Sequence, residues 1–243
     1  MLLLILAGTG TAFATGLGAI PVFFLGSRAR ALRPVLLGVA AGVMGVASIA
    51  GLLLPGLDEG SALSVGAGLG AGVSFLLIAR LALAEHERHL HRAWSSGYRT
   101  SLLVFAVLFV HSLPEGFAIG TAYASDTAGL SLFVIVAIAI QNIPEGTSVA
   151  IPMAAAGFSR ARQFWAAVAT SAPQPLGAVI AFLLVEEVTG LLPFSFGFAA
   201  GAMLALIAIE LAPQALHESR RGALAGAAVG ALAMLALSAA LGV

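Results

Sequence analysis

Two short segments carry most of the side chains able to do chemistry in an otherwise apolar chain: HSLPEG at residues 111–116 and QNIPEG at 141–146. Each sets a potential ligand, His111 or Gln141, four residues ahead of a carboxylate, Glu115 or Glu145. On a helix, positions i and i+4 share a face, so each segment offers a matched pair of ligands. Neutral His111 and Gln141 with ionised Glu115 and Glu145 carry two negative charges, which one divalent cation neutralises. Imidazole, carboxylate and amide oxygen suit first-row ions such as Zn²⁺, Fe²⁺ or Mn²⁺ better than Mg²⁺. Pro114 and Pro144 lack an N–H and crowd the carbonyls of Val110 and Ile140, which predicts kinked helices. Irregular backbone of that kind is tolerated at membrane depth where it is buried in protein or lines a wet cavity. Gly116 and Gly146 would let a neighbour or an ion come close.

The elements that must position these segments are membrane helices. Of 243 residues, 60% are hydrophobic and 9% charged, and the mean hydropathy is +1.06; a soluble domain carries roughly 25% charged residues. Runs long enough to span a bilayer, about 20 residues, fall near 1–25, 32–55, 61–83, 100–122, 129–156, 163–186, 189–214 and 222–243. The expected fold is an all-α integral membrane protein of eight transmembrane helices. The first run has no basic residues before its apolar stretch and is read as a mature helix rather than a signal peptide. All eleven basic residues are Arg, and all fall in or beside alternate connections: 1–2, 3–4, 5–6 and 7–8. The other connections carry only acids: Asp58, Glu59, Asp126, Glu186 and Glu187. The positive-inside rule puts the Arg side in the cytoplasm and both termini outside. The acids on the outer face could concentrate cations at an entrance. With no cysteine, thiolate chemistry and disulfides are excluded. A net charge of zero gives no sign of nucleic-acid binding. Residues 1–243 read as one transmembrane domain, with a cytoplasmic His-containing loop at 84–99. Gly and Ala on every span suit close helix packing, within the bundle or in a homodimer.

Three acids lie inside spans: Glu115, Glu145 and Glu210. A carboxylate in the hydrocarbon is unfavourable by about 2.5–3.5 kcal/mol even on the lenient insertion scale, so such residues usually line a pathway. Glu210, with His217 beyond it, reads as an exit route to the cytoplasm or as a side chain snorkelling to the interface. In EHERHLHR, residues 85–92, His86, His89 and His91 offer weak metal binding, or a solvated stretch facing anionic headgroups.

With these residues on the page, the chain resembles the ZIP (Zrt/Irt-like) family of divalent-metal transporters, bacterial type, over essentially its whole length. The paired Pro-Glu-Gly segments are the specific match. Less specific are TGLGAIPVFF, AAGVMGVASIAGLLLPG, PQPLGA and AGAMLALIAIELAPQALHE. The resemblance implies an inverted repeat of helices 1–3 and 6–8 around helices 4 and 5. It also implies a transport site of His111, Glu115, Gln141 and Glu145, and a metal-sensing or accepting role for the 84–99 loop. Members of the family often bind a second metal through an Asn, an Asp and a Glu; here those positions are Ser112, Asn142 and Gln174, all neutral. A second divalent ion would leave about two positive charges uncompensated at low dielectric, so one metal at a time is expected, with those three as polar lining or weak ligands. Uptake of zinc, or of iron, manganese or cadmium, across a bacterial inner membrane follows, with the ion as substrate and no organic cofactor. The rival readings are a membrane metalloenzyme or a metal sensor using the same ligands; no second catalytic constellation and no soluble output domain support them.

Overall fold

The computed structural model describes residues 1–90, 96–188 and 190–243, with side chains described except those of Ser27, 84–90 and 96–99. His86, His89 and His91 therefore lie outside the described side chains. Among the described residues the chain is helical without strands. Eight helical segments are long and apolar enough to cross a membrane: span 1 Leu2–Leu25, span 2 Ala29–Glu59, span 3 Ala62–Leu83, span 4 Thr100–Ala124, span 5 Leu130–Ala155, span 6 Arg160–Glu187, span 7 Leu191–Glu218 and span 8 Arg220–Leu241. The connections are correspondingly short. Ser159 and Ser219 accept from the backbone N–H groups of Arg162 and Gly222, capping the helices that begin spans 6 and 8. Gly129 and Gly190 take positive φ values, 79° and 82°, at the starts of spans 5 and 7, a conformation favoured by glycine.

The helices pack in pairs. Span 3 lies along span 7 and span 8 along span 2; span 4 lies along the second half of span 6 and span 5 along span 1. Spans 4 and 5 touch, with span 2 against span 5 and span 7 against span 4. Exchanging spans 1 with 6, 2 with 7, 3 with 8 and 4 with 5 carries the 4–5 pairing into itself and each of the others into another. The close approaches repeat in the same way. A Cβ on Gly38 or Gly42 of span 2 would stand 2.2 or 2.1 Å from the carbonyl oxygens of Ala223 and Ala227 of span 8. A Cβ on Gly197 or Gly201 of span 7 would stand 2.1 or 2.2 Å from those of Val65 and Leu69 of span 3. Each glycine pair is spaced i, i+4, so the two backbones meet along one face with no side chain between them. Segments GVAAGVM (38–44) and GFAAGAM (197–203) carry this duplication in the sequence, a signal that reading the glycines as generic packing residues passes over.

The prolines of the two Pro-Glu-Gly segments lie inside their helices. Spans 4 and 5 belong to α-helices that run through Pro114 and Pro144 without interruption, Ser96–Ala124 and Leu130–Ala155. Departures from α-geometry fall instead on spans 2 and 7, as π-turns at Ile49–Leu53 and Ile207–Leu211, each followed two residues later by a proline, Pro55 or Pro213. Spans 1 and 6 supply the other breaks. The helix of span 1 stops at Leu17 and resumes at Ile20; that of span 6 stops at Thr170 and resumes at Pro173. Both interruptions face spans 4 and 5, where side chains and carbonyls freed from the helical ladder become available.

Candidate metal site

The Pro-Glu-Gly segments meet because their glycines admit a neighbouring backbone. A Cβ on Gly116 would stand 2.1 Å from the carbonyl oxygen of Gln174, and one on Gly146 only 1.7 Å from that of Thr15. The close neighbour expected at these glycines is thus the chain itself, span 6 against span 4 and span 1 against span 5. This docking brings His111, Glu115, Gln141 and Glu145 into the centre of the bundle, each at most 4% exposed.

Their hydrogen bonds are unequally shared. Both oxygens of Glu115 are engaged: Gln141 Nε2 donates to Oε1 at 2.7 Å and Gln174 Nε2 to Oε2 at 2.8 Å. The carboxyl group of Glu145 adjoins that of Glu115. His111 Nδ1, Gln141 Oε1 and Glu145 Oε1 are fully buried and have no hydrogen-bond partner. Leaving a buried polar atom unpaired is unfavourable by about 1–3 kcal/mol, and all three atoms are of the kinds that ligate first-row divalent cations. Among the described residues, no three His, Asp or Glu side chains are already gathered as a metal cluster. Gln141 presents its amide nitrogen to Glu115, so an arriving cation must turn that amide or displace it.

Behind the four ligands lies a neutral network. Thr11 Oγ1 donates to Gln174 Oε1 at 2.7 Å, and Asn142 Nδ2 donates to the same oxygen at 3.1 Å and to the carbonyl of Thr11 at 2.7 Å. Asn142 Oδ1 accepts from Gln174 Nε2 at 3.3 Å. Thr15 and Ser171 join their hydroxyls at 2.6 Å beside it. Ser112 is spent on its own helix, donating to the carbonyl of Leu108 at 3.0 Å. Asn142 and Gln174 therefore border the four ligands and fix Glu115, while Ser112 bonds away from them. Thr11, Thr15 and Ser171 escaped the sequence reading, since an isolated hydroxyl in an apolar run carries no spacing signal.

Glu210 is buried, 7% exposed, within the π-turn of span 7. It does not snorkel. One oxygen pairs with Arg80 Nη1, and the other lies 3.9 Å from His111 Nδ1. Arg80, read on sequence grounds as beside the connection after span 3, lies on the long helix Ala62–Leu90 and pairs its guanidinium with Glu210. A cavity of about 240 Å³, lined among others by Glu145, Ser148, Arg80, Glu210 and Arg33, runs from these acids toward the Arg-rich end. It shares Ser148, Val104 and Arg33 with a second cavity of about 560 Å³ that reaches Arg30, Thr100 and Glu218. Arg33 pairs there with Glu218 and donates to Gln214 at 3.1 Å. His217 is exposed; the cavities are lined by its neighbours Gln214 and Glu218.

Known proteins similar to the chain are zinc transporters. A family profile described as ZIP Zinc transporter matches residues 80–238. The chain is 33% identical to the zinc transporter GufA of Myxococcus xanthus, across 90% of this chain and 87% of that protein. It is 34% identical to the zinc transporter ZIPB of Bordetella bronchiseptica, across 96% and 78%. A putative zinc transporter of Arabidopsis thaliana is 37% identical across 93% of this chain, which spans 37% of that longer protein.

Proposed function

The chain belongs to the ZIP family, a multi-pass membrane transporter of divalent metal ions and not an enzyme, and from that premise we propose that it carries Zn²⁺ from the outer face to the cytoplasm through His111, Glu115, Gln141 and Glu145. One observation carries the proposal. Three metal-donor atoms, His111 Nδ1, Gln141 Oε1 and Glu145 Oε1, are buried without partners, and Glu145 also lines the cavity that leads toward the Arg-rich end. An ion entering there replaces unpaired buried acceptors with coordination bonds, so its own lost hydration is offset where it is held.

Stoichiometry follows from the neutral network. Gln174 Nε2 occupies the second oxygen of Glu115 and Asn142 is bonded to Thr11 and Gln174, so the space beside the first ion is closed by amide donors, which repel a cation. One ion at a time is the reading this supports. Direction rests on the arginines: the cavities open among Arg30, Arg33 and Glu218, at the end that the positive-inside rule assigns to the cytoplasm. The exchange of helix pairings between spans 1–3 and 6–8 supports an inverted repeat, in which access alternates by moving one half against the other.

The test is zinc flux into proteoliposomes for wild type, Glu115→Ala and Glu145→Ala, with zinc binding measured on the same solubilised proteins. Either substitution should abolish flux and weaken binding at least about a hundredfold, since losing even an outer-shell partner of a metal ligand costs about 10–100-fold. Undiminished flux in both would refute the site.

A further inference from the structure

Arg80 is a cation placed against the acids that are to hold a cation. Its Nη1 pairs with Glu210 Oε1, and Glu210 Oε2 is 3.9 Å from His111 Nδ1, so a single carboxylate bridges the guanidinium and the buried imidazole. Both Arg80 and Glu210 line the cavity that starts at Glu145. The guanidinium side chain is 43% exposed while its carboxylate partner is 8% exposed, so one end of the pair is anchored in the protein and the other stands at the water.

We propose that Arg80 is a tethered counter-cation of the transport site, which sets the charge of the buried acid cluster and exchanges with the departing metal ion on Glu210. The inference rests on the assignment of the site to His111, Glu115, Gln141 and Glu145. Glu115, Glu145 and Glu210 together carry three negative charges when ionised; Arg80 brings the cluster to two, the amount one divalent ion neutralises. Without Arg80 the occupied cluster would keep a net negative charge, and the ion would be held too firmly. Arg33, the other arginine on this cavity, is matched by Glu218 and leaves the count unchanged.

The same arrangement gives release a mechanism. An ion leaving His111 meets Glu210 as the next carboxylate toward the Arg-rich end, and binding there requires the guanidinium to swing away on its flexible stem. When the ion moves on, Arg80 returns, so Glu210 is not left as an unpaired buried charge, a condition that is strongly destabilising. Arg80 is thus a positioning and release residue rather than a ligand.

Charge counting separates this role from a structural one. Arg80→Gln should lower both the KM for zinc and the maximal rate about tenfold, a modest share of the Coulomb interaction because Arg80 is half exposed and screened. Glu210→Gln should raise KM by a similar factor, since it removes one negative charge and leaves Arg80 unbalanced. Arg80→Gln with Glu210→Gln restores the original count, and its KM should return to within about threefold of wild type; Arg80→Lys, which keeps the charge, should do the same. The assay is initial zinc uptake into proteoliposomes over a range of zinc concentrations. KM shifts of the same sign in the two single variants, or no recovery in the double variant, would overturn the proposal. Glu115→Ala keeps the two readings apart. If it abolishes flux while the KM pattern fails, only the role of Arg80 falls; if it transports normally, the site itself is wrong and the role of Arg80 falls with it.

Discussion

Gln174→Glu exchanges one amide nitrogen for an oxygen at the centre of the molecule and tests what holds Glu115. Gln174 Oε1 keeps its partners in this variant, because Thr11 Oγ1 and Asn142 Nδ2 donate equally well to a carboxylate oxygen. The change is confined to the other atom, now 2.8 Å from Glu115 Oε2 and 3.3 Å from Asn142 Oδ1 and no longer a donor to either. A hydrogen bond to a charged group contributes about 1.5–3 kcal/mol. Two unit charges at that separation repel by about 6 kcal/mol in an effective dielectric near 20, an upper bound because the side chains can separate. The lost bond to Glu115 alone, at about 2–4 °C per kcal/mol for a chain of this size, lowers the melting temperature by about 3–12 °C. Zinc should reverse the effect, since a cation between the two carboxylates turns repulsion into coordination. Thermal unfolding in detergent, with chelator and with excess zinc, reads both numbers. Gln174→Glu should show a larger zinc-induced rise than wild type, and Gln174→Ala, which adds no charge, should not. A Gln174→Glu protein that melts with wild type in chelator would refute the bonding described for Glu115.

Two other substitutions probe separate parts of the structure. Gly146→Ala puts a Cβ 1.7 Å from the carbonyl oxygen of Thr15 and should cost more than about 3 kcal/mol through forced backbone movement, seen as lost monodisperse protein in size-exclusion chromatography; Gly45→Ala, with nothing within 4 Å, should be neutral or stabilising by up to about 1 kcal/mol. Ser148→Phe fills the passage shared by the two cavities, so zinc flux should fall at least about tenfold, roughly 1.4 kcal/mol of added barrier, while equilibrium zinc binding to the solubilised protein stays within about twofold of wild type.

Much of the frame was legible in the sequence because membranes impose few and strong rules. Length and hydropathy place eight spans within a few residues, and the arginines sort themselves by side, as Arg30, Arg33 and Glu218 around one cavity now illustrate. The four central residues were legible because a carboxylate in an apolar helix needs a reason and the i, i+4 spacing puts its partner on the same face. Arg80 was not. It lies near the end of an apolar span, where an arginine is read as facing headgroups, and a pairing between residues 130 apart in sequence leaves no local trace. The same holds for the hydroxyls of Thr11, Thr15 and Ser171, whose importance comes only from the network they complete. The π-turns of spans 2 and 7 left no signal beyond the prolines that follow them, Pro55 and Pro213.

Those altered turns have a consequence for how the chain can be edited. A π-turn holds one residue more than the α-turn it replaces, so deleting a single residue from Ile207–Leu211 would close it to an α-turn and leave the flanking helices near their present phase. The same deletion in the regular helix Ala212–Glu218 would shorten it by about 1.5 Å and rotate its far end by about 100°, carrying Glu218 off its line to Arg33. The extra residue is slack stored beside Glu210, between the membrane-packing half of span 7 and its charged half. A length change that the π-turn absorbs would be read elsewhere in the span as a change of angle.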